Sequence, residues 1–178
     1  MDETPRPVLA EPGPHDARLA SAVCLCVARV GAEASVWRRV RVPATMTLRR
    51  LHAVLGCVLG RPEVETHRFR IGDVLYGYTA EGLPTRDSRW TTVGDFARQG
   101  VRSFGYELAE PVAAVHEVRI EAIVDAADSR PVCLGGEGVW PADAALPART
   151  EEGVAFIAPD DPVGFDLDAV NVSLARLR

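Results

Sequence analysis

Residues 36–69 read VWRRVRVPATMTLRRLHAVLGCVLGRPEVETHRF, and the fold turns on how this stretch divides. Val36, Val40 and Val42 fall on one face of an extended chain with Arg38 among them, while Trp37, Arg39 and Arg41 fall on the other. A period of two sends successive side chains to opposite faces, so this is a β-strand with one partly solvated side. Pro43 cannot donate to a ladder and is expected to end the strand. Thr45 or Thr47 then offers a hydroxyl to the orphan N–H groups of a helix start. Leu48, Leu51, Leu55, Val58 and Leu59 recur at helical spacing as one apolar stripe, with Arg49 and Arg50 turned away and His52 at its border. Each such side chain contributes about 1.5–3 kcal/mol when buried, so this helix anchors the core. Gly60, followed by Arg61 and Pro62, stops it.

Working outward, Leu19–Val30 (LASAVCLCVARV) is a β-rich, largely uninterrupted apolar run, as expected of a central strand buried on both faces and paired with the strand after it. Residues 1–17 hold four prolines, two aspartates and two glutamates without periodicity and read as a flexible tail, leaving 18–178 as the domain. On the other side, His67–Tyr78 reads as one strand or two joined near Gly72-Asp73. A polar loop follows over 79–90, and Thr92–Gln99 makes a short helix stopped by Gly100. Val101–Leu108 and His116–Val124 are further strands. In the second, Val118, Ile120 and Ala122 alternate with Glu117, Arg119 and Glu121. From 125 to 161 the composition shifts to Pro, Gly, Ala and acids, which reads as a long connection carrying a short strand at Val154–Ala158. Asp166 is placed to cap a last helix, with Leu167, Val170, Leu174 and Leu177 inward.

The cationic side chains are all arginine. Without lysine there is no Schiff base, lysine general base or P-loop lysine. A net charge of −5 argues against general nucleic-acid binding, so nucleic acid is not the favoured partner. No apolar run approaches the roughly 20 residues of a membrane helix, and no secretory signal is visible, which points to the cytoplasm. Cys24, Cys26, Cys57 and Cys133 lack metal-type spacing and read as buried thiols. No serine lies in a nucleophile elbow, and Gly135-Gly136-Glu137-Gly138 reads as a turn.

The order of these motifs resembles the plasmid pRiA4b ORF-3-like family, a group also described as insertion-element passenger proteins. The likeness runs through Val36-Trp37-Arg38-Arg39-Val40, Val42-Pro43, Thr47-Leu48, Leu51-His52, His67 and Phe69. It continues at Phe104-Gly105-Tyr106-Glu107 and His116, then at Pro131-Val132-Cys133, Gly135-Gly136 and Pro141-Ala142-Asp143. It closes on Phe165-Asp166, Val170-Asn171 and Leu174. The fold it implies is a single α+β domain, an antiparallel or mixed β-sheet packed by a central helix and a C-terminal helix. It implies no established activity. The chain departs from the family pattern at Arg61-Pro62, where an aromatic is expected, at Tyr106–Glu110, and after Pro141.

The polar residues matched in this way, His52, His67, Glu107, Glu110, His116, Cys133 and Asp143, are the candidate ligand or metal site. Imidazoles, carboxylates and a thiol together suit a divalent metal or acid–base chemistry. Their structural alternative is a hydrogen bond between His52 and His67 across the helix-to-strand junction, with Glu107 and Glu110 paired to Arg102 or Arg119. Trp37, Trp90 and Trp140 read as packing residues. Arg38, Arg39, Arg41, Arg49 and Arg50 are candidates for an anion or nucleic-acid stripe, against a solvated face. The reading with most support is a non-catalytic binding or accessory module that recognises a protein, peptide or small ligand in a groove beside the central helix. A metal-assisted or acid–base enzyme is the alternative, and a DNA-associated accessory protein is a third.

Overall fold

The structure, a computed structural model, describes residues 21–30, 36–61, 66–78, 85–108, 114–126, 130–138, 146–150, 153–157 and 164–177. The expected tail at 1–17 lies outside them. β1 (Ser21–Arg29) and β2 (Trp37–Pro43) pair antiparallel, with Leu25 opposite Val40 and Val27 opposite Arg38. α1 (Leu48–Val58) starts at Thr47, whose hydroxyl accepts from the Arg50 N–H at 3.3 Å. Gly60 ends it at φ +69, a conformation glycine adopts without steric cost. There the Gly60 N–H donates to the Cys57 carbonyl and the Arg61 N–H to that of Gly56, at 3.1 and 2.7 Å, the two bonds of a Schellman cap.

β3 (His67–Ile71) and β4 (Val74–Tyr78) turn back on each other at Gly72-Asp73. α2 (Val93–Arg98) opens with a capping box between Thr92 and Asp95. The remaining elements are β5 (Ser103–Leu108), β6 (Ala114–Asp125), β7 (Val132–Glu137), β8 (Leu146–Thr150), β9 (Gly153–Ile157) and α3 (Leu167–Ala175). α3 is capped by Asp166, which accepts from the Ala169 N–H at 3.0 Å.

Seven strands form one sheet in the order β4-β3-β5-β6-β1-β2-β7, antiparallel at every pairing, and β8 and β9 form a separate antiparallel pair. Val23, Leu25, Val27, Val40, Val42, Phe69, Phe104, Tyr106, Leu108, Val118 and Ile120 share a core with Leu48, Leu51, Val54, Leu55 and Val58 of α1. α3 lies against β7 and α1 and adds Leu174. The chain is therefore an α+β domain whose sheet has an inner face under α1 and an outer face carrying Arg39, Arg68, Arg70, Glu107 and Glu121.

The structure corrects one stretch of the sequence reading. Residues 125–161 are not a loop with one short strand, because β7 lies within them and completes the sheet against β2. Its run VCLGGE carries two glycines where a strand signal needs branched side chains. Gly136 is there to give room. A Cβ at that position would stand 2.6 Å from Arg38 Cδ and 2.8 Å from the Trp37 carbonyl oxygen.

Candidate functional site

Three adjacent strands bring the site together. Register places Phe69 of β3 opposite Tyr106 of β5, and Tyr106 opposite His116 of β6. His67 opens β3 two residues before Phe69 and so shares its face. From above, α1 contributes His52, one position past the buried Leu51.

The two histidines meet by stacking across the helix-to-strand junction. Their ring centroids are 3.5 Å apart and their planes 5° from parallel. His52 Nδ1 lies 2.7 Å from the Tyr106 hydroxyl. Tyr106, at 0% exposure, stacks on Phe69 with centroids 4.9 Å apart and tilts against His116 at 5.8 Å. His116 is equally buried, and its Nδ1 is 3.3 Å from the Tyr106 carbonyl oxygen. A carbonyl only accepts, so this nitrogen carries the proton of the bond.

Arg61, buried just past the α1 cap, acts electrostatically on Tyr106. Burial pushes the phenol well above its ordinary pKa by penalising the anion, and the charge of Arg61 offsets part of that effect. The hydroxyl therefore stays protonated. His52 itself is half-buried, so the stack presents one fixed imidazole at the edge of the core.

The other candidates stand elsewhere. Glu107 follows Tyr106 along the strand and so faces the outer side of the sheet, where it pairs with Arg68 and, at 3.1 Å, with Arg70, not with Arg102 or Arg119. Cys133 lies on β7, three strand positions across the sheet from β6, about 14 Å at ordinary strand spacing, and in register with Ile120 rather than His116. Its backbone is held by Asn171, which accepts from the Cys133 N–H at 2.8 Å and donates to its carbonyl at 3.0 Å. Burial raises the Cys133 thiol pKa, which disfavours the reactive thiolate. Glu110 and Asp143 lie outside the described residues. Among the described residues no group of three or more His, Cys, Asp or Glu side chains is arranged to hold a metal ion.

The arginines do not form one stripe. Arg38 turns inward, donates to the carbonyls of Trp37, Glu137 and Gly138 at 2.8, 2.7 and 3.1 Å, and lies 4.3 Å over the Phe165 ring. Arg39 is on the outer face, paired with Glu121 through two bonds of 2.6 and 2.9 Å and set 5.2 Å over Trp37. Arg41 shares that face, while Arg49 and Arg50 are exposed on α1. Trp37 donates to Glu137 at 3.3 Å. Trp90 is 80% exposed and is not a packing residue; Trp140 lies outside the described residues.

Tyr106 and Arg61 are the members the residue reading did not select. Strand alternation carried a signal for Tyr106: in FGYEL it shares a face with Phe104 and Leu108, opposite Glu107. Arg61 had none, because its burial depends on the turn after α1.

With the geometry in hand, comparisons place the chain among known proteins. It matches the family described as plasmid pRiA4b ORF-3-like protein over residues 22–161. No curated protein matches it. Among solved structures it is similar to the crystal structure of a protein of unknown function, MM3350, from Methanosarcina mazei Go1. The identity is 21% and the TM-score 0.58, covering 66% of this chain and 70% of that one. A likeness at that identity speaks for the fold alone. Among the described residues no helix is long and apolar enough to cross a membrane.

Proposed function

Because the chain belongs to the plasmid pRiA4b ORF-3-like family, we propose that it is a cytoplasmic, non-catalytic binding or accessory domain. In this reading it recognises a protein, peptide or small ligand beside α1, in the setting of a mobile element. One observation carries it: the half-buried imidazole of His52 is fixed on two sides, by the His67 ring stacked at 3.5 Å and by the Tyr106 hydroxyl at 2.7 Å. A polar group whose orientation is locked by its neighbours is preorganised for recognition, and burying this many polar groups under a helix has a cost that apolar packing would avoid.

An acid–base enzyme is the second reading, and the same hydrogen bond gives it a foothold, since it would orient His52 for proton transfer. The carboxylate that such a mechanism most needed, Glu107, is engaged by Arg68 and Arg70 on the opposite face. Elemental analysis of the purified protein separates binding from metal chemistry. The expected result is metal far below one equivalent, unchanged in His67→Gln and His116→Gln. Stoichiometric metal that is lost in either variant would transfer the site to a metal enzyme.

A further inference from the structure

The exposed indole of Trp90 is displayed by a segment fixed in place. The Leu48 N–H of α1 donates to the Thr91 carbonyl at 3.0 Å, and the Arg49 N–H donates to that of Ser88 at 3.1 Å. Thr47 and Thr92 form an antiparallel bridge, and Ser88 is buried. Residues 88–92 are thus pinned along the first turn of α1, and Trp90, at 80% exposure, projects from backbone held on both sides.

Around it the charge is basic. Arg49 and Arg50 are exposed on that first turn, Arg89 is exposed in the segment itself, and Arg86 is exposed just before it. The acid among them is Asp87, which accepts from the Arg89 backbone N–H at 2.8 Å and from its guanidinium at 2.7 Å. Its carboxyl is held below the usual range, chiefly by Arg89 and also by Arg49, which brings Arg49 into the same patch. Four arginines and one aspartate stand here on a chain whose net charge is −5, so the local sign opposes that of the whole.

We propose that this patch binds single-stranded nucleic acid, with a base stacking on Trp90 and phosphates engaging Arg49, Arg50, Arg86 and Arg89. An exposed indole on a segment that also carries and borders exposed arginines offers both contacts that unpaired nucleotides use, a π-face and cations along the backbone. Duplex DNA keeps its bases stacked on one another, and an acidic peptide offers charge but no flat ring for the indole.

The test is fluorescence anisotropy of the full chain with a labelled oligothymidylate of roughly 12 nucleotides. Binding is expected to saturate at about 50 mM salt, with log K falling against log salt at a slope of about −2.8, as four phosphate contacts require. Trp90→Ala is expected to weaken binding about tenfold with an unchanged melting temperature. Arg49→Gln is expected to reduce the slope by about 0.7. The proposal is overturned if the oligonucleotide does not bind at low salt or if Trp90→Ala binds like the parent chain. Displacement by an oligoglutamate of equal length as effective as by unlabelled oligonucleotide would also overturn it, assigning the patch to acidic peptides.

Discussion

A phenol at 0% exposure keeps its place by finding a hydrogen-bond partner, and for Tyr106 that partner is His52 Nδ1. Tyr106→Phe removes the bond while keeping the ring stacked on Phe69. It is expected to lower unfolding free energy by about 1 kcal/mol in a urea titration and to shift the ring resonances of His52. Gly136 poses the opposite problem, since an added methyl would collide with Arg38 and the Trp37 carbonyl. Gly136→Ala is expected to cost about 1–3 kcal/mol in the same titration, as overpacking does. At this scale the sequence was legible where alternation was followed. Arg38 was placed on the valine face from spacing alone, and there it lies. Grouping Glu107 with the histidines set that rule aside, because Glu107 and Tyr106 are neighbours on one strand and cannot share a face.

Among the elements, α1 was the most legible. Its stripe, its Thr47 cap and its Gly60 stop are local features, and local rules suffice for them. The cap of α2 is similar. Thr92→Ala, which loses the hydroxyl that accepts from the Asp95 N–H, is expected to cost about 0.5–2 kcal/mol in thermal or urea unfolding. Asp95 adds a pH dependence. Burial pushes its carboxyl up, but the Thr92 hydroxyl and N–H and the Arg98 guanidinium outweigh this and leave it below the ordinary aspartate value. A depressed folded-state pKa contributes stability above the unfolded value, near about 3.9, and loses it as pH falls through the lower folded one. Thermal midpoints recorded from neutral pH down through this range are expected to fall less steeply in Asp95→Asn than in the parent chain. β7 was not legible, because its strand character comes from β2 on one side and Asn171 on the other. The Asn171 amide occupies both backbone groups of Cys133 much as a neighbouring strand would, which shields part of the sheet edge. Asn171→Ala is expected to cost about 1–3 kcal/mol in urea unfolding and to speed amide exchange at Cys133.

For the whole molecule, the sheet order decides what can meet. β3, β5 and β6 are neighbours, so His67, Tyr106 and His116 gather under α1, whereas Cys133 is carried to the far edge. The β3–β5 pairing could not be read from one strand at a time, since it skips β4 and α2, whereas β5 and β6 follow each other in the chain. The same topology leaves the arginines on separate surfaces and sets Trp90 against the start of α1. It also makes the His52–His67 stack the junction between helix and sheet. Its proposed role in recognition is tested most directly by histidine-selective NMR of the intact chain during a screen of small carboxylate, amide and heteroaromatic fragments. The prediction is that some fragments shift the ring resonances of His52 and His67 together, saturably, and that these shifts vanish at His67 in a folded His52→Ala variant. Rings that no fragment moves, or shifts at His67 that persist unchanged without His52, would contradict it.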